Sequence, residues 1–294
     1  MDTKKLKQKI LDLAIRGKLV PQDPSDEPAS VLLERIRTEK EQLIKDKKIK
    51  RDKNESYIYR SGKSYYEKRG DKTVCIDDEI PFEIPESWEW CRVRDISQSY
   101  IGLTYKPTDV SNNGTIVLRS SNIANGKLVF NDLVRVTCDI SEKLQVENND
   151  IIICARNGSR RLVGKSAIIY GISEKMTFGA FMAICKSKLY KYVYHYLQSQ
   201  LFFDQLFFVS GTTTIYQLTQ ARFNDFLIPI PPINEQIAIV SKLEQLNGYI
   251  DRLNLDAGDL KNIIKQIKTQ ILDLAIRGKL VPQDPTDEPA SVLL

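Results

Sequence analysis

The chain has 294 residues, of which 42% are hydrophobic and 28% charged, and its formal net charge is +5 at pH 7. No apolar run approaches the roughly 18 residues that a membrane span requires, and the first ten residues contain no apolar signal segment, so we expect a cytoplasmic globular protein. The five cysteines are scattered without a CxxC pair. Their spacing favours neither a disulfide framework nor a metal site, and the mild basic charge is compatible with a nucleic-acid partner.

Sequence motifs for catalysis are missing. The chain has no GxGxxG fingerprint, no phosphate-binding P-loop, no NPP-type tetrapeptide of a base methyltransferase and no nuclease-type carboxylate-x-Lys after a strand. Its one histidine, His195, lies in a tyrosine-rich run that favours a structural role. We therefore predict a non-catalytic protein without a metal or cofactor of its own. The alternative is an enzyme whose site carries no familiar motif.

A segment of the chain occurs twice. Residues 10–33 and 271–294 are 261 positions apart and match at 23 of 24 positions, the exception being a Ser-to-Thr change. A period this long is not that of a solenoid repeat. We interpret the chain as one full unit followed by the opening of a second; a remnant of gene duplication is the alternative. Within the segment, an apolar stripe predicts a short helix, Gly17 can end it, and prolines predict a turn before a second helix near Pro28.

A basic stretch follows the repeated segment. Residues 35–72 contain fourteen Lys or Arg against seven Asp or Glu, a net charge larger than that of the whole chain. We predict a helix that fades into an exposed linker. The alternative is an arm that contacts nucleic-acid phosphates, because a cluster of cations on DNA gains from counterion release. Four tyrosines lie among the later charges: Tyr57, Tyr59, Tyr65 and Tyr66.

The middle of the chain predicts a globular α+β domain at residues 80–232. Short strand-like runs such as TIVLRSSNI and DIIICAR alternate with turn signals such as Asn-Gly, and an aromatic helix is expected from Lys191 to about Phe208. The chain is thereby divided into three parts. Residues 1–79 form a helical region with the basic linker, 80–232 form this domain, and 233–294 form a long helix with the start of the second repeat.

The long helix carries a coiled-coil pattern. From Ile239 to Leu274 apolar residues recur at alternating steps of four and three, which over five heptads spans about 50 Å. Glycine is unfavourable inside a helix, so a local break near Gly258 is compatible with the pattern. A lone helix of this kind would expose its stripe, so we expect two chains to pair antiparallel. The pairing residues are Leu243, Leu246, Ile250, Leu253, Leu260, Ile264, Ile267, Ile271 and Leu274.

Four segments carry a family resemblance: EIPESWEW, GLTYKPTDVSNNGTIVLRSSNIANGKL, LIPIPPINEQIAIVSKLEQL and the repeated ILDLAIRGKLVPQDP. In their order and spacing, the chain resembles the specificity subunit of Type I restriction-modification systems. The resemblance implies target-recognition domains that each read one half of a split double-stranded DNA target. It also implies helical regions that fix the gap between the halves and dock modification (methyltransferase) subunits. S-adenosylmethionine and ATP would bind the partner subunits, and a restriction subunit would join through the complex.

The chain departs from the full family pattern in having one recognition domain. The resemblance therefore implies a half-length form, in which two halves assemble and read a palindromic split site. A rival hypothesis is a stand-alone DNA-binding coiled-coil adaptor or regulator without a modification partner.

Base reading requires hydrogen-bonding side chains on rigid loops, above all Arg toward guanine and Asn or Gln toward adenine. The strongest candidate follows the apolar run DIIICA, where a glycine permits a tight turn; a polar hairpin is the alternative. We expect a threonine cluster to contact phosphate. In order of rank, the candidates are Arg156, Asn157, Ser159, Arg160, Arg161 and Lys165; then Arg119, Ser120, Ser121 and Asn122; then Tyr105 and Lys106; then Thr212, Thr213 and Thr214.

Overall fold

The computed structural model describes residues 2–208, 217–277 and 291. Contacts group Lys4–Leu243 into one compact unit and assign the helix from Glu244 onward to a second. The predicted boundary at residue 80 lies inside the first unit. No helix in the described ranges is long and apolar enough to cross a lipid bilayer. Two predicted features lie outside these ranges: the cluster at Thr212, Thr213 and Thr214, and the second repeat copy beyond Arg277.

Helices and strands are mixed along the described chain, which confirms the predicted α+β class. The predicted aromatic helix is in fact two helices, because the Ser199 hydroxyl accepts a hydrogen bond from the Phe202 amide (3.3 Å) and caps a new helix. The long helix runs through Gly258 without a break. The helices are α1 (Thr3–Ile15), α2 (Ala29–Lys45), α3 (Val93–Ile96), α4 (Tyr190–Leu197), α5 (Gln200–Phe207), α6 (Gln220–Asp225) and α7 (Ile233–Ile276).

The described strands are short, as the turn signals predict. They are β1 (Tyr57–Ser61), β2 (Ser64–Arg69), β3 (Lys72–Cys75), β4 (Glu89–Arg92), β5 (Gln98–Ile101), β6 (Val110–Ser111), β7 (Thr115–Leu118), β8 (Ile123–Ala124), β9 (Lys127–Leu128), β10 (Val134–Val136), β11 (Ile151–Cys154), β12 (Ser166–Ile168), β13 (Met176–Phe178), β14 (Met182–Lys186) and β15 (Leu227–Ile230). They form sheets in the orders β1-β2-β3, β13-β7-β10-β6 and β12-β11-β14-β5, with the pairs β15-β4 and β8-β9.

The sheet β12-β11-β14-β5 lies between two hydrophobic cores. Ile151 and Ile153 of β11 belong to the core shared with the helices, whereas Ile152 and Cys154 belong to the core shared with the sheet β13-β7-β10-β6. Alternate side chains of a strand point to opposite faces, so an uninterrupted apolar run is what a strand buried on both faces requires. This strand ends at Cys154, two residues before the first predicted DNA-binding cluster.

The first copy of the repeat folds as predicted at its glycine. Helix α1 ends at Ile15, and Gly17 adopts a φ of +68° while the Lys18 amide donates to the Leu13 carbonyl (2.8 Å). This is a left-handed helix end of the kind that glycine favours. A Cβ atom at Gly17 would lie 2.5 Å from the Pro85 ring, so close packing also requires glycine there.

The turn after Gly17 docks against the start of α7. Glu235 is buried, and its carboxylate accepts hydrogen bonds from Gln22 Nε2 (3.2 Å) and Trp88 Nε1 (2.8 Å). Gln22 Nε2 also donates to the Gly17 carbonyl (2.8 Å). Burial raises the pKa of Glu235. The first copy of the repeated segment therefore packs against the first turn of the long helix and helps to fix its position.

The basic stretch is not the exposed linker that the sequence predicted. Beyond α2 it folds into the antiparallel sheet β1-β2-β3, in which Tyr59 pairs with Tyr66 and their rings stack with centroids 5.8 Å apart. The opposite face buries Ile58 and Tyr65 in the main core. The four tyrosines of this stretch therefore lie on a folded sheet, whose inward face carries Ile58, Tyr65 and the buried Glu67.

A buried carboxylate joins this sheet to the domain. Glu67 of β2 accepts hydrogen bonds from Arg92 Nε (3.1 Å) and Arg92 Nη2 (3.0 Å), and from the Ser56 hydroxyl (2.6 Å). Burial by itself would raise the pKa of Glu67, but the hydrogen bonds, first among them those from Arg92, outweigh it and lower the pKa to about 2. The guanidinium of Arg92 also pairs with Glu79 (2.8 Å), so one cation links two carboxylates.

Asp95 supplies a pH-dependent contribution to stability. Burial raises its pKa to about 6, although its Oδ2 accepts a hydrogen bond from the Arg92 amide (2.9 Å). Because the folded-state pKa exceeds the ordinary value of 3.8, the contribution is fully present below about pH 4 and is lost as the pH rises through 6.

Asp95→Asn keeps the hydrogen-bond acceptor without the charge. We expect it to stabilise the fold by about 1–3 kcal/mol at pH 7.5 and by less at pH 5, as measured by urea unfolding at both values.

Candidate nucleic-acid interface

The first predicted cluster forms the loop between β11 and β12. Its turn is fixed locally, because Asn157 Oδ1 accepts a hydrogen bond from the Ser159 amide (2.9 Å) and residues Arg160–Leu162 form a 3₁₀ turn. Cationic side chains are exposed along it, as base or phosphate contacts require. The exposed members of the cluster are Arg156, Ser159, Arg160 and Arg161, while Asn157 and Lys165 are half-buried.

Aromatic side chains of α5 support the far end of this loop. The Arg160 guanidinium lies 4.4 Å from the centroid of the Phe207 ring, within the range of a cation–π contact. Gly164 adopts a φ of +86°, and a Cβ atom there would lie 2.7 Å from Leu206 Cδ2 and 2.9 Å from Phe203 Cε1. The loop therefore returns to β12 pressed against a buried helix, which holds its arginines in place.

The second predicted cluster lies directly beside the first. Asn157 Nδ2 donates to the Ser120 hydroxyl (3.3 Å), and Lys165 Nζ donates to the Ser120 carbonyl (3.2 Å). The two clusters are more than 30 positions apart in the sequence. Ser120 nevertheless accepts hydrogen bonds from both ends of the loop between β11 and β12. The structure thus brings together the two groups that were ranked highest.

Two members of the second cluster stabilise their own part of the chain and are not available to a ligand. Asn122 is completely buried, and its Nδ2 donates to the carbonyls of Val129 (3.2 Å) and Asn131 (3.0 Å). Arg119 Nη2 donates to both the carbonyl and the carboxylate of Asp132, at 2.7 Å each. Of this cluster, Ser121 is the exposed member.

The third predicted cluster reaches the same edge through a neighbouring turn. The Leu103 amide donates to the Phe178 carbonyl (2.7 Å), and the Gly179 amide donates to the Leu118 carbonyl (3.0 Å), just before the second cluster. Lys106 is exposed and Tyr105 is half-buried. The segment that connects β13 to β14, and hence one sheet to the other, therefore bonds to the residues that lead into the second and the third clusters.

Phe181 is the residue at this edge that the sequence reasoning missed. Its carbonyl accepts hydrogen bonds from the amides of Ala155 (2.9 Å) and Arg156 (3.0 Å), while its side chain is 58% exposed. The Arg156 guanidinium lies 5.3 Å from the centroid of its ring. The run FGAFMAICK contains the signal, an aromatic residue beside a glycine turn between two apolar runs. Nothing in that run shows that the turn meets three loops.

The fourth predicted cluster, Thr212 to Thr214, lies outside the described residues. Gln217, the first residue described after that gap, forms an isolated antiparallel bridge with Arg156, and the Leu218 amide donates to the Ala155 carbonyl (2.8 Å). The chain therefore leaves that gap beside the first cluster.

Comparisons with known proteins decide the family. Residues 85–257, more than half of the chain, match the family model described as Type I restriction modification DNA specificity domain. The chain belongs to this family. The match takes in every described loop of the candidate site and continues into α7, so the specificity domain includes the edge at which the three clusters meet.

Individual relatives agree with the family assignment. The chain is 33% identical over 280 residues to the Type I restriction enzyme EcoAI specificity subunit of Escherichia coli, a match that covers 92% of this chain and 43% of that protein. It is 29% identical over 359 residues to the EcoEI specificity subunit, covering 99% of this chain and 54% of that one. The chain therefore spans about half the length of the curated relatives that it matches.

A solved structure shares the fold of this specificity domain protein. A chain from a type I R-M system, solved to describe complex assembly and conformational transition, superposes with a TM-score of 0.54 at 15% identity. The superposition covers 95% of the present chain and 60% of that one. The likeness in fold thus extends beyond the region that the family model matches.

Gly102 controls the geometry of the specificity-domain edge. A Cβ atom there would lie 2.2 Å from the Gly179 carbonyl oxygen and 2.3 Å from that of Phe178, which backbone cannot accommodate without moving. We expect Gly102→Ala to lower the free energy of unfolding by about 1–3 kcal/mol and to displace the Gly179–Phe181 turn. Urea unfolding measures the first effect. Gly158→Ala is the matched control, because a Cβ atom at Gly158 meets nothing within 4 Å; equal losses in the two variants would contradict the prediction.

Proposed function

We propose that this chain is a non-catalytic, sequence-specific DNA-binding subunit of a Type I restriction-modification system and reads one half of a split target. The observation that carries the proposal is the convergence of three predicted DNA-binding clusters on one edge of the domain. At that edge, exposed cations suited to phosphate and base contacts stand on loops fixed by hydrogen bonds. The proposed contact residues are Arg156, Asn157, Ser159, Arg160, Arg161, Lys165, Ser120, Ser121, Tyr105 and Lys106.

The proposed partners follow from the relatives, which are named as specificity subunits of Type I restriction enzymes. We propose that the chain acts in the cytoplasm and docks modification subunits, which bind S-adenosylmethionine and transfer the methyl group. A restriction subunit with its ATP would join through the same complex. The stand-alone adaptor or regulator is the rival, and the family match gives it no support.

Self-association through α7 would supply the second half of the target. From Leu253 onward, the seam residues Leu253, Leu260, Ile264, Ile267, Ile271 and Leu274 are 40–59% exposed in the single chain. The prediction was wrong for the start of the seam, because Leu243 and Ile250 are already buried within the single chain and Leu246 is half-buried. Covering such a stripe with the same stripe of a second copy, antiparallel, would bury it and place two recognition domains in one assembly. Light scattering of the purified chain at micromolar concentration tests this. A dimer is expected, Ile264→Lys should give monomers, and a monomeric wild-type chain would refute the pairing.

The function itself is tested by mapping methylated bases. Cells that express this chain together with its cognate modification subunits are expected to carry methylation at one split motif, and cells with the modification subunits alone are not. A palindromic motif would follow from two copies of one recognition domain. Co-purification of the chain with the modification subunits separates the proposal from the adaptor hypothesis. Absence of both the motif and the complex would refute the proposal.

A further inference from the structure

Phe181 is held rigidly at the centre of the proposed DNA-binding edge. Its carbonyl accepts backbone hydrogen bonds from the first two residues after β11, and the Gly179 carbonyl two residues earlier accepts one from the Met182 amide (2.8 Å). A single exposed aromatic residue is common on protein surfaces and by itself implies no function. What sets Phe181 apart is its position beside the exposed Arg156 on a turn that is fixed at both ends.

The guanidinium of Arg156 limits what the Phe181 ring can contact. It lies over the ring, 5.3 Å from the centroid, and so covers one face. A ring that intercalates between base pairs needs both faces free, so this arrangement disfavours a wedge between bases. The other face and the edge remain, and they can pack against an apolar group that lies beside a hydrogen-bond acceptor for Arg156.

The major groove offers one such apolar group, the C5 methyl of thymine. The other base edges there present hydrogen-bond donors and acceptors, among them the N7 and O6 atoms of guanine that arginine contacts. An Arg–Phe pair is therefore complementary to a step in which a thymine adjoins a guanine.

We propose that Phe181 packs against the C5 methyl of a thymine in the half-target, within one base pair of the base that Arg156 contacts. The inference rests on the proposed function and adds a specificity determinant to it. Phe181 would read the methyl group by van der Waals contact, while Arg156, held by the ring, supplies the neighbouring hydrogen bonds.

The test uses the complex of this chain with its modification subunits and a duplex that carries the mapped motif. Each thymine of one half-target is replaced in turn by deoxyuridine, which lacks the methyl group, and Kd is measured by fluorescence anisotropy. For the wild-type chain, we expect one position at which the replacement weakens binding about fourfold, as loss of one buried methyl group implies. In Phe181→Ala, binding is weaker and that position becomes insensitive to the replacement.

Two further variants make the result specific. Phe181→Leu keeps an apolar side chain and should retain part of the thymine preference, which also covers the case in which the alanine variant fails to fold. Tyr170→Ala is the matched control: Tyr170 is 54% exposed but follows the opposite end of β12, and its replacement should leave the preference intact.

The outcomes separate this inference from the proposed function. A methylated motif that is bound tightly, but shows no thymine sensitivity or the same sensitivity in Phe181→Ala, overturns the inference and leaves the function standing. A half-target without thymine overturns it as well. A wild-type complex with no motif and no preference for any duplex refutes the function, and the inference with it.

Discussion

Arg92→Ala is expected to lower the free energy of unfolding by about 3–5 kcal/mol, because it leaves the Glu67 carboxylate buried without its main partner. Both side chains are almost fully buried, and Arg92 bonds Glu67 through Nε and Nη2 at 3.1 and 3.0 Å. Its Nη1 also donates to the Asp225 carbonyl (2.8 Å), so the truncation strands an acceptor on α6 as well.

Urea unfolding at pH 7 measures this effect, and a second arginine on the same carboxylate provides the control. Arg69 also donates to Glu67, at 3.1 Å, but its side chain is 43% exposed, so water replaces it when it is removed. We expect Arg69→Ala to cost less than about 1 kcal/mol. Similar losses in the two variants would show that the burial of the pair does not determine its contribution.

The same pair predicts how stability responds to acid. The folded-state pKa of Glu67 is lowered from 4.5 to about 2, so its contribution is present above about pH 4.5 and is lost as the pH falls toward 2. In Arg92→Ala this part of the acid dependence should shrink, because the hydrogen bonds that lower the pKa are gone. The experiment therefore tests whether the sheet β1-β2-β3 is fastened to the domain by charge as well as by its apolar face.

Local sequence patterns predicted the features of this fold that depend on neighbours in sequence. The left-handed helix end at Gly17 and the long helix α7 follow from residue type and heptad spacing, which act over one or two turns. The same pattern left open a break near Gly258, which α7 does not have. The sheet at residues 57–75 was missed because its inward residues Ile58 and Tyr65 are interspersed with charges. Glu67 looks solvated in the sequence, since its partner Arg92 lies 25 positions away.

The candidate site, too, was predictable in its local features and not in its long-range contacts. Residue chemistry was enough to select the loops, because arginine and asparagine beside glycine turns are what base reading uses. The convergence of the loops was not predictable, since it depends on contacts such as Asn157 to Ser120, 37 positions apart. For the same reason, the sequence could not distinguish the buried Asn122, whose amide is used by the backbone, from an asparagine that faces a ligand.

The prediction with the largest effect on function concerns Arg156 and Arg160. Arg156→Ala and Arg160→Ala are each expected to weaken binding to the methylation motif by about 1–3 kcal/mol if the residue reads a base. Both guanidinium groups make cation–π contacts, Arg156 with the ring of Phe181 and Arg160 with the ring of Phe207. Each side chain is thus preordered, so little conformational entropy remains to be lost on binding.

Salt dependence distinguishes the two ways in which these arginines can act. An arginine that reads a base is needed for the motif duplex more than for a scrambled duplex, whereas one that neutralises a phosphate weakens both and lowers the salt slope by about 1. Titration of both duplexes at several salt concentrations, with the complex that contains the modification subunits, measures this. Arg135→Ala is the control. Arg135 lies on β10, away from the converging loops, and its guanidinium is already paired with Glu174 (2.7 Å). If Arg156→Ala and Arg160→Ala match that control in affinity and in slope, the loop between β11 and β12 is not the DNA-reading element, and the specificity must come from the other loops at this edge.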